Sequence, residues 1–177
     1  MNGEIYAIPE SKHGSLAVMP RPRSADWLED EVYLWSNLRI GTVVSLLTAD
    51  EVLQLVLSEE NLLCQSLGIR FESFPIPDRG LPLSAEAFVG LVGRVQGYLE
   101  TGERVAVHCR QGVGRSGMVA AGILIAQGYG VDQAFGFVEQ ARGMRVPDTE
   151  AQREWVRDVA PLLRALRNLD EEEAATS

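Results

Sequence analysis

Cysteine and histidine are scarce in this chain, which has only two of each among its 177 residues. Two cysteines are too few for the disulfide framework of a small secreted protein, and we expect both thiols, Cys64 and Cys109, to be reduced. The histidines, His13 and His108, lie far apart, and no Cys or His pair has the spacing of a zinc site. The sequence therefore predicts a protein without disulfides or a metal site, and we expect it to need no cofactor.

Positive charge and long apolar stretches are also limited. There are 16 Lys and Arg residues against 25 Asp and Glu, and the resulting net charge of −9 argues against nucleic acid or an anionic membrane surface as the main partner. No apolar run approaches the ~20 residues that span a bilayer, and the amino terminus lacks the basic start and apolar core of a signal peptide. We therefore expect a cytoplasmic protein without a membrane span, which attracts any anionic substrate through local arginines.

The chain does have enough apolar residues for one large core. Hydrophobic residues make up 46% of it, so it is long enough for one well-buried domain and too short for two. We place a single domain at 1–169 and expect the acidic segment 170–177 to be frayed. One amphipathic face per helix predicts a monomer.

Strand patterns alternate with helix patterns along the sequence. Ser24, Ser84 and Thr149 stand where helix N-caps are expected. In chain order the predicted elements are a hairpin over 4–8 and 16–19, a helix over 24–38, a strand over 42–47, a helix over 50–67 broken near Ser58, an extended segment over 69–76, a helix from Ser84, a strand over 104–107, a buried helix over 118–126, a helix over 131–142 and a last helix that Pro161 kinks or restarts. This order predicts an α/β fold with a mostly parallel central sheet of about five strands flanked by helices.

The segment 108–116 has the sequence HCRQGVGRS between a short apolar strand and a helix that is apolar nearly all round. Gly112 and Gly114 relax the sterics of the turn, so successive backbone N–H groups can point at one anion, assisted by the positive end of the helix. Cys109 would then lie against a bound phosphorus. Because it faces this helix end and a guanidinium, we expect a thiolate at neutral pH. Arg115 offers a planar fork for two phosphoryl oxygens.

This His-Cys-x5-Arg-Ser pattern resembles the active-site loop of the cysteine-dependent protein tyrosine phosphatases, and the compact length resembles their dual-specificity and kinase-associated-phosphatase-like branch. The resemblance implies a dual-specificity phosphatase-like fold and hydrolysis of phosphomonoesters through a phosphocysteine at Cys109. It also implies that Ser116 hydrogen-bonds the leaving sulfur and that His108 fixes the loop. The implied phosphate ligands are the loop residues Arg110, Gln111, Gly112, Val113, Gly114 and Arg115.

Phosphoester cleavage also needs a proton donor for the leaving oxygen. The segment 74–80, FPIPDRG, follows a predicted strand as a proline-stiffened turn and resembles the acid loop of the same phosphatases. Asp78 is therefore the predicted acid, and the base of the second step, although it could also be a turn aspartate that caps its own backbone. Asp50 and Asp132 are weaker candidates because each can start a helix. Arg79 forms either a surface ion pair or part of a substrate rim.

Two further residues leave alternatives open. Gln152 matches, loosely, a position that places a polar residue near the hydrolytic water in relatives, but Thr149-x-x-Gln152 is also a capping box, and the box alone accounts for the spacing. We favour the cap. Cys64 could be a resolving thiol for oxidised Cys109, as in some relatives, but a small hydrophobic residue on a helix face is the better interpretation.

Within the resemblance, the expected substrate is a phosphorylated protein or another phosphate ester. The main alternative to a protein tyrosine or dual-specificity phosphatase is a phosphoinositide or other non-protein phosphatase, since Arg110 adds a loop charge that an extra phosphate could meet. Sulfur transfer and arsenate reduction also use an anion loop that opens with cysteine, but the position of the loop and its spacing to the arginine argue against both. An inactive phosphate-binding module would need neither Cys109 nor Asp78, so the presence of both residues argues against this alternative.

Overall fold

A computed structural model describes the backbone of residues 4–175 and the side chains of residues 4–167. Five strands form one sheet: β1 (Tyr6–Ile8), β2 (Ser15–Pro20), β3 (Thr42–Ser45), β4 (Arg70–Ser73) and β5 (Arg104–Cys109). The helices of this range are a 3-10 turn (Ala25–Trp27), α1 (Leu28–Asn37), α2 (Ala49–Gln54), α3 (Glu60–Ser66), α4 (Ala85–Glu100), α5 (Gly114–Ala126), α6 (Val131–Arg142) and α7 (Glu150–Ala175).

The strand order is β1-β2-β5-β3-β4, with β1 antiparallel to β2 and every other pairing parallel. This confirms the predicted α/β fold with a mostly parallel five-stranded sheet. The last strand in sequence is the central one in space. Its final residues pair with the ends of both neighbours, Cys109 with Pro20 and His108 with Ser45, so three chain segments emerge at one edge of the sheet.

Each face of the sheet packs against its own layer of helices. In β5 the side chains of Val105 and Val107 join the core formed with α4, α5, α6 and α7, whereas Ala106 between them joins the core formed with α1 and α3. This alternation is the ordinary period of a strand. Helix α5 lies wholly inside the first core, because every one of its residues is buried, and this explains why its sequence is apolar nearly all round.

One predicted helix start needs correction. The helix expected from Ser24 begins as a 3-10 turn, and the Ser24 side chain caps nothing. The break expected near Ser58 in the helix over 50–67 is confirmed: α2 and α3 are separated by residues 55–59, in which Val56 adopts a positive φ of 53°.

Helix α7 shows no break at the expected position. It continues through Pro161, which is exposed, while the neighbouring Val159 and Leu163 are buried in the core and hold the helix on its face. The helix also extends through Ala175, into the segment where we expected fraying; residues 176 and 177 and the side chains beyond 167 lie outside the described part, so that expectation stays a prediction. Within the described range, no helix has the length and apolarity needed to cross a membrane.

Candidate active site

Cys109 is the last residue of β5, and the loop that follows it turns directly into α5. Gly112 makes this turn possible: its φ is +69°, and a Cβ there would meet the carbonyl oxygen of Met19 at 2.5 Å. Gly114, the first residue of α5, is packed against the carboxylate of Asp148, which a Cβ would strike. Both glycines are therefore required by close approach, and the strand, loop and helix predicted around HCRQGVGRS are all present.

The loop leaves a run of backbone donors unused. The N–H groups of residues 111–116 donate to no acceptor in the part of the chain that the structure describes. The carbonyl groups of the same loop are occupied: Arg110 O accepts from Arg21 N at 3.3 Å, and Val113 O from Gly117 N at 3.1 Å. Buried backbone donors are nearly always paired in proteins, so a run of free N–H groups at a helix N-terminus is suited to an oxyanion.

Arg142, the last residue of α6, holds the remaining loop carbonyls from outside. Its Nε donates to Gly112 O at 2.8 Å and its Nη2 to Gln111 O at 3.3 Å. The Tyr6 ring of β1 lies over the guanidinium, and the distance from its centroid to Arg142 Cζ is 3.8 Å. A cation fixed on these two carbonyls keeps the peptide planes from rotating, and it leaves the N–H side of each plane available. Sequence reasoning missed Arg142, although it lies in the last turn of a predicted helix.

The Cys109 side chain lies at the bottom of a cavity of about 180 Å³ and is only 3% exposed. Its Sγ atom is 3.5 Å from Ser116 Oγ, so the hydroxyl can donate to the sulfur. The cavity is lined by the following side chains: Asp78, Arg79, Cys109, Arg110, Gln111, Arg115 and Asp148. The structure thus brings Cys109, Arg115 and Asp78, the predicted nucleophile, phosphate ligand and acid, together in one cavity.

Arg115 is almost fully buried and is held by a carboxylate that the sequence analysis did not identify. Glu51, at the start of α2, accepts from Arg115 through both oxygens, at 2.6 Å and 2.9 Å. The carbonyl of Ile76 accepts a further bond at 2.8 Å. Burial would lower the pKa of Arg115, but its hydrogen bonds to Glu51 and the nearby Cys109 raise it. The guanidinium is therefore a permanent, fixed cation.

The same contact makes Glu51 a strong acid. Burial alone would raise its pKa, but hydrogen bonds from Arg115 and from the Thr48 backbone lower the pKa to about 2. Thr48 and Glu51 form a complete capping box at the start of α2. That Thr-x-x-Glu spacing directly after β3 was the signal for Glu51 in the sequence. Arg110 also donates to Glu51, at 3.3 Å, so both arginines of the loop share one carboxylate.

Asp78 lies about half exposed at the mouth of the cavity, with Oδ1 3.1 Å from Arg115 Nη2. It belongs to a tight turn in which Gly80 N donates to Pro77 O at 2.8 Å, and Arg79 adopts a positive φ of 54°. Among the described residues, the Asp78 side chain makes no hydrogen bond that would cap its own turn. Its geometry favours the acid interpretation over the turn interpretation. The other two candidates stand elsewhere: Asp50 is in the first turn of α2, and Asp132 pairs with Arg157 at 3.0 Å.

Gln152 lies behind this turn rather than in the cavity. Both hydrogen bonds of the expected capping box are present, Thr149 N to Gln152 Oε1 and Gln152 N to Thr149 Oγ1, each at 3.2 Å. A third bond runs from Gln152 Nε2 to Gly80 O at 3.1 Å. The residue of this segment that does reach the cavity is Asp148, which the sequence analysis did not consider. It pairs with no other group among the described residues.

His108 is fully buried beneath the loop. Its Nδ1 lies 3.4 Å from Cys109 O, and its Nε2 lies 2.8 Å from Oε1 of Glu60, which is buried too. These contacts fit a residue that packs and orients the loop. Cys64, one helical turn beyond Glu60, is completely buried, and burial raises the pKa of its thiol to about 12. This supports the interpretation of Cys64 as a small hydrophobic residue in the core.

A family model described as "Polymorphic toxin system, DSP-PTPase phosphatase" matches residues 17–129, which is more than half of the chain. Among curated proteins, dual specificity protein phosphatase 2 of Homo sapiens is 31% identical over 80 residues. The aligned part is 45% of this chain and 26% of that protein, so the chain spans about a quarter of the length of this relative.

Among solved structures, kinase associated phosphatase, crystallised with serine in place of its catalytic-site cysteine, has a TM-score of 0.84 at 19% identity and covers 93% of this chain and 98% of its own. Tk-PTP in its active form has a TM-score of 0.74 at 24% identity, covering 91% of this chain and 99% of its own. At these identities the similarity concerns the fold, and it confirms the predicted dual-specificity phosphatase-like architecture.

Proposed function

The chain belongs to the DSP-PTPase phosphatase family of polymorphic toxin systems, and from this premise we propose that it hydrolyses phosphate monoesters through a covalent phosphocysteine at Cys109. The observation that carries the proposal is the run of N–H groups over 111–116 that follows Cys109 and has no acceptor among the described residues, together with the buried guanidinium of Arg115. Backbone donors and a fixed cation around one nucleophile stabilise the charge of a transferring phosphoryl group.

In the first step, the Cys109 thiolate attacks phosphorus while the bond from phosphorus to the ester oxygen breaks. The loop N–H groups and Arg115 bind the three remaining phosphoryl oxygens. Asp78, at the mouth of the same cavity, gives its proton to the departing oxygen. The products of this step are the free alcohol or phenol, the phosphocysteine and the Asp78 carboxylate.

In the second step, a water molecule attacks the phosphocysteine. The Asp78 carboxylate takes the proton of this water, and the bond from phosphorus to sulfur breaks. Cys109 leaves as a thiolate, which Ser116 stabilises by donating its hydroxyl hydrogen across the 3.5 Å between Oγ and Sγ. Inorganic phosphate is released, and Asp78 is again protonated for the next turnover. Neither step uses a metal.

For the substrate we propose a phosphorylated protein, at tyrosine or with dual specificity, because the curated relative is a dual specificity protein phosphatase. A phosphoinositide or another multiply phosphorylated ester is the second candidate, since Arg79 and Arg110 line the cavity next to Arg115 and can meet a second phosphate. We further propose that the domain acts alone, as a monomer in the cytoplasm, over residues 1–169.

The deciding experiment measures turnover of p-nitrophenyl phosphate from pH 5 to 8, with EDTA present, for the wild type, Cys109→Ser and Asp78→Asn. We expect Cys109→Ser to lose at least ~10³-fold in kcat and Asp78→Asn to lose ~10²-fold or more. Cys64→Ala and Asp132→Asn are the matched controls, and both should keep wild-type turnover. Wild-type turnover in Cys109→Ser would exclude the mechanism, and inhibition by EDTA would exclude its metal-independence.

A further inference from the structure

The Gln152 side chain joins two parts of the molecule that are 72 positions apart in the sequence. It is fully buried at the start of α7. Its oxygen accepts from Thr149 N at 3.2 Å, and its nitrogen donates to Gly80 O at 3.1 Å. One end of the amide therefore caps a helix, and the other end holds the turn that carries Asp78.

The chemistry of the two partners fixes the orientation of this amide. Thr149 N is a donor and must face the amide oxygen, whereas Gly80 O is an acceptor and must face the amide nitrogen. A flipped amide would place two donors against each other at Thr149 and two acceptors at Gly80. Gln152 is thus the residue type that satisfies both contacts, while Glu, the other usual residue of a capping box, satisfies only the first.

On the side before Asp78, the turn that Gln152 holds is attached through Ile76, which is buried, donates through its N–H to Leu46 O at 3.1 Å and accepts from Arg115 at 2.8 Å. Gly80 N donates to Pro77 O at 2.8 Å, so the turn is closed on itself, and Asp78 at its apex is about half exposed. The Asp78 carboxyl reaches the rest of the protein only through Arg115, as far as the described contacts show. Because a phosphoryl group would compete with Asp78 for Arg115 during catalysis, the bond from Gln152 to Gly80 O anchors the turn on the side after Asp78.

We propose that Gln152 is a positioning residue for the acid: it fixes the Asp78 turn so that the carboxyl meets the leaving oxygen. The inference rests on the proposed phosphatase function, and Gln152 acts in it through Asp78, whose proton the first chemical step requires. It differs from a role in holding the hydrolytic water, because Gln152 is absent from the described lining of the cavity and both ends of its amide have partners on the protein.

The test compares substrates that differ in their need for a proton. A poor leaving group such as phenoxide needs the acid more than p-nitrophenoxide does. Gln152→Glu keeps the acceptor for Thr149 N but turns an oxygen toward Gly80 O, and Gln152→Met removes both polar ends at similar volume. We expect kcat/KM on phenyl phosphate to fall ~10–100-fold in both variants, with a much smaller loss on p-nitrophenyl phosphate, since a misplaced acid costs up to ~10²-fold. Asp78→Asn should show the same dependence more strongly.

Thr149→Ala is the matched control, because it removes half of the capping box and leaves the bond to Gly80 in place. It should lower Tm and keep the wild-type ratio between the two substrates. The proposal is overturned if the Gln152 variants change only Tm, as Thr149→Ala does, or if their kcat/KM falls equally on both substrates. If Gln152→Glu fails to fold, the test rests on the kcat/KM values of Gln152→Met for the two substrates. Failure of the phosphatase function itself would be visible separately, as Cys109-independent or absent turnover in the wild type.

Discussion

Asp78 Oδ1 lies 3.1 Å from Arg115 Nη2, so the candidate acid and the candidate phosphate ligand are in contact before any substrate arrives. Arg115 is buried and fixed by Glu51, whereas Asp78 is about half exposed on a turn. Of the two, Asp78 is therefore the partner that can move. A phosphoryl oxygen and the Asp78 carboxylate compete for the same Nη2 hydrogen, and this competition has a measurable consequence.

Asp78→Asn should bind an oxyanion more tightly than the wild type does. At a pH where the Asp78 carboxyl is ionised, the substitution removes a negative charge at the mouth of the cavity and weakens the competitor for Arg115. A charge at this distance near a surface is worth about 1 kcal/mol or somewhat more, which is roughly a fivefold to tenfold lower Kd. Calorimetric titration with inorganic phosphate measures it. Asp132→Asn, which removes a charge on α6, should leave Kd unchanged, and an equal or weaker affinity in Asp78→Asn would contradict the prediction.

The contact between Glu51 and Arg115 predicts how stability depends on pH. The pKa of Glu51 is lowered from 4.5 to about 2 in the folded protein, so its contribution is complete above about pH 4.5 and is lost as the pH falls toward 2. The loss amounts to roughly 3 kcal/mol over that range. Denaturant unfolding at pH 5 and pH 2.5 should show a smaller acid loss for Glu51→Gln than for the wild type. Glu59→Gln, at an exposed carboxyl nearby, should follow the wild type.

Arg142→Ala should reduce activity, although the Arg142 side chain is not part of the described cavity lining. It frees the carbonyls of Gln111 and Gly112, so the peptide planes of the loop lose their outer anchor. We expect kcat/KM on p-nitrophenyl phosphate to fall ~10–100-fold, in line with the cost of small displacements in an active site. Arg142→Lys should recover part of the loss because it can donate to one carbonyl. The control is Arg145→Ala, whose exposed side chain pairs with Glu150 at 3.1 Å, and it should behave as the wild type.

The catalytic loop could be predicted from the sequence because its determinants are local. Cys109, both glycines and Arg115 lie within a few residues, and their strand and helix are adjacent to them. The supporting residues were missed because they depend on which strands lie beside β5. Glu51 follows β3, and β3 neighbours β5 only in the folded sheet. The Thr48–Glu51 capping box can be recognised in the sequence, but it does not predict that the same carboxylate also binds Arg115, which is 64 positions away.

The contacts of Gln152 could also be predicted only in part from the sequence. The capping box with Thr149 was predicted, and both of its hydrogen bonds are present. The bond to Gly80 O could not be predicted, since it depends on how the start of α7 packs against the turn after β4. A pattern within one element identifies the contacts inside that element, whereas contacts between elements require the topology.

Asp148 provides a prediction about electrostatics alone. Its carboxylate lines the cavity, lies against Gly114 at the start of α5, and has no ion-pair partner among the described residues. It therefore repels an anionic substrate. Asp148→Asn should lower KM for p-nitrophenyl phosphate several-fold at low salt, and the gain should fade as ionic strength rises. Glu150→Gln, at an exposed carboxyl outside the cavity, serves as control. A fall in kcat instead would indicate that Asp148 takes part in the chemistry.

Arg110 distinguishes between the two substrate classes. Its side chain is about 40% exposed, lines the cavity and is steadied by Glu51 at 3.3 Å, so its position allows it to meet a phosphate next to the one that is cleaved. If phosphoinositides are the substrate, Arg110→Ala should reduce kcat/KM on a bisphosphorylated inositol lipid headgroup at least ~10-fold more than it reduces kcat/KM on a phosphotyrosine peptide. Arg79→Ala gives the comparison for a second arginine that lines the same cavity. Equal losses on both substrates would remove the support for a lipid substrate and leave the protein phosphatase as the function that the site favours.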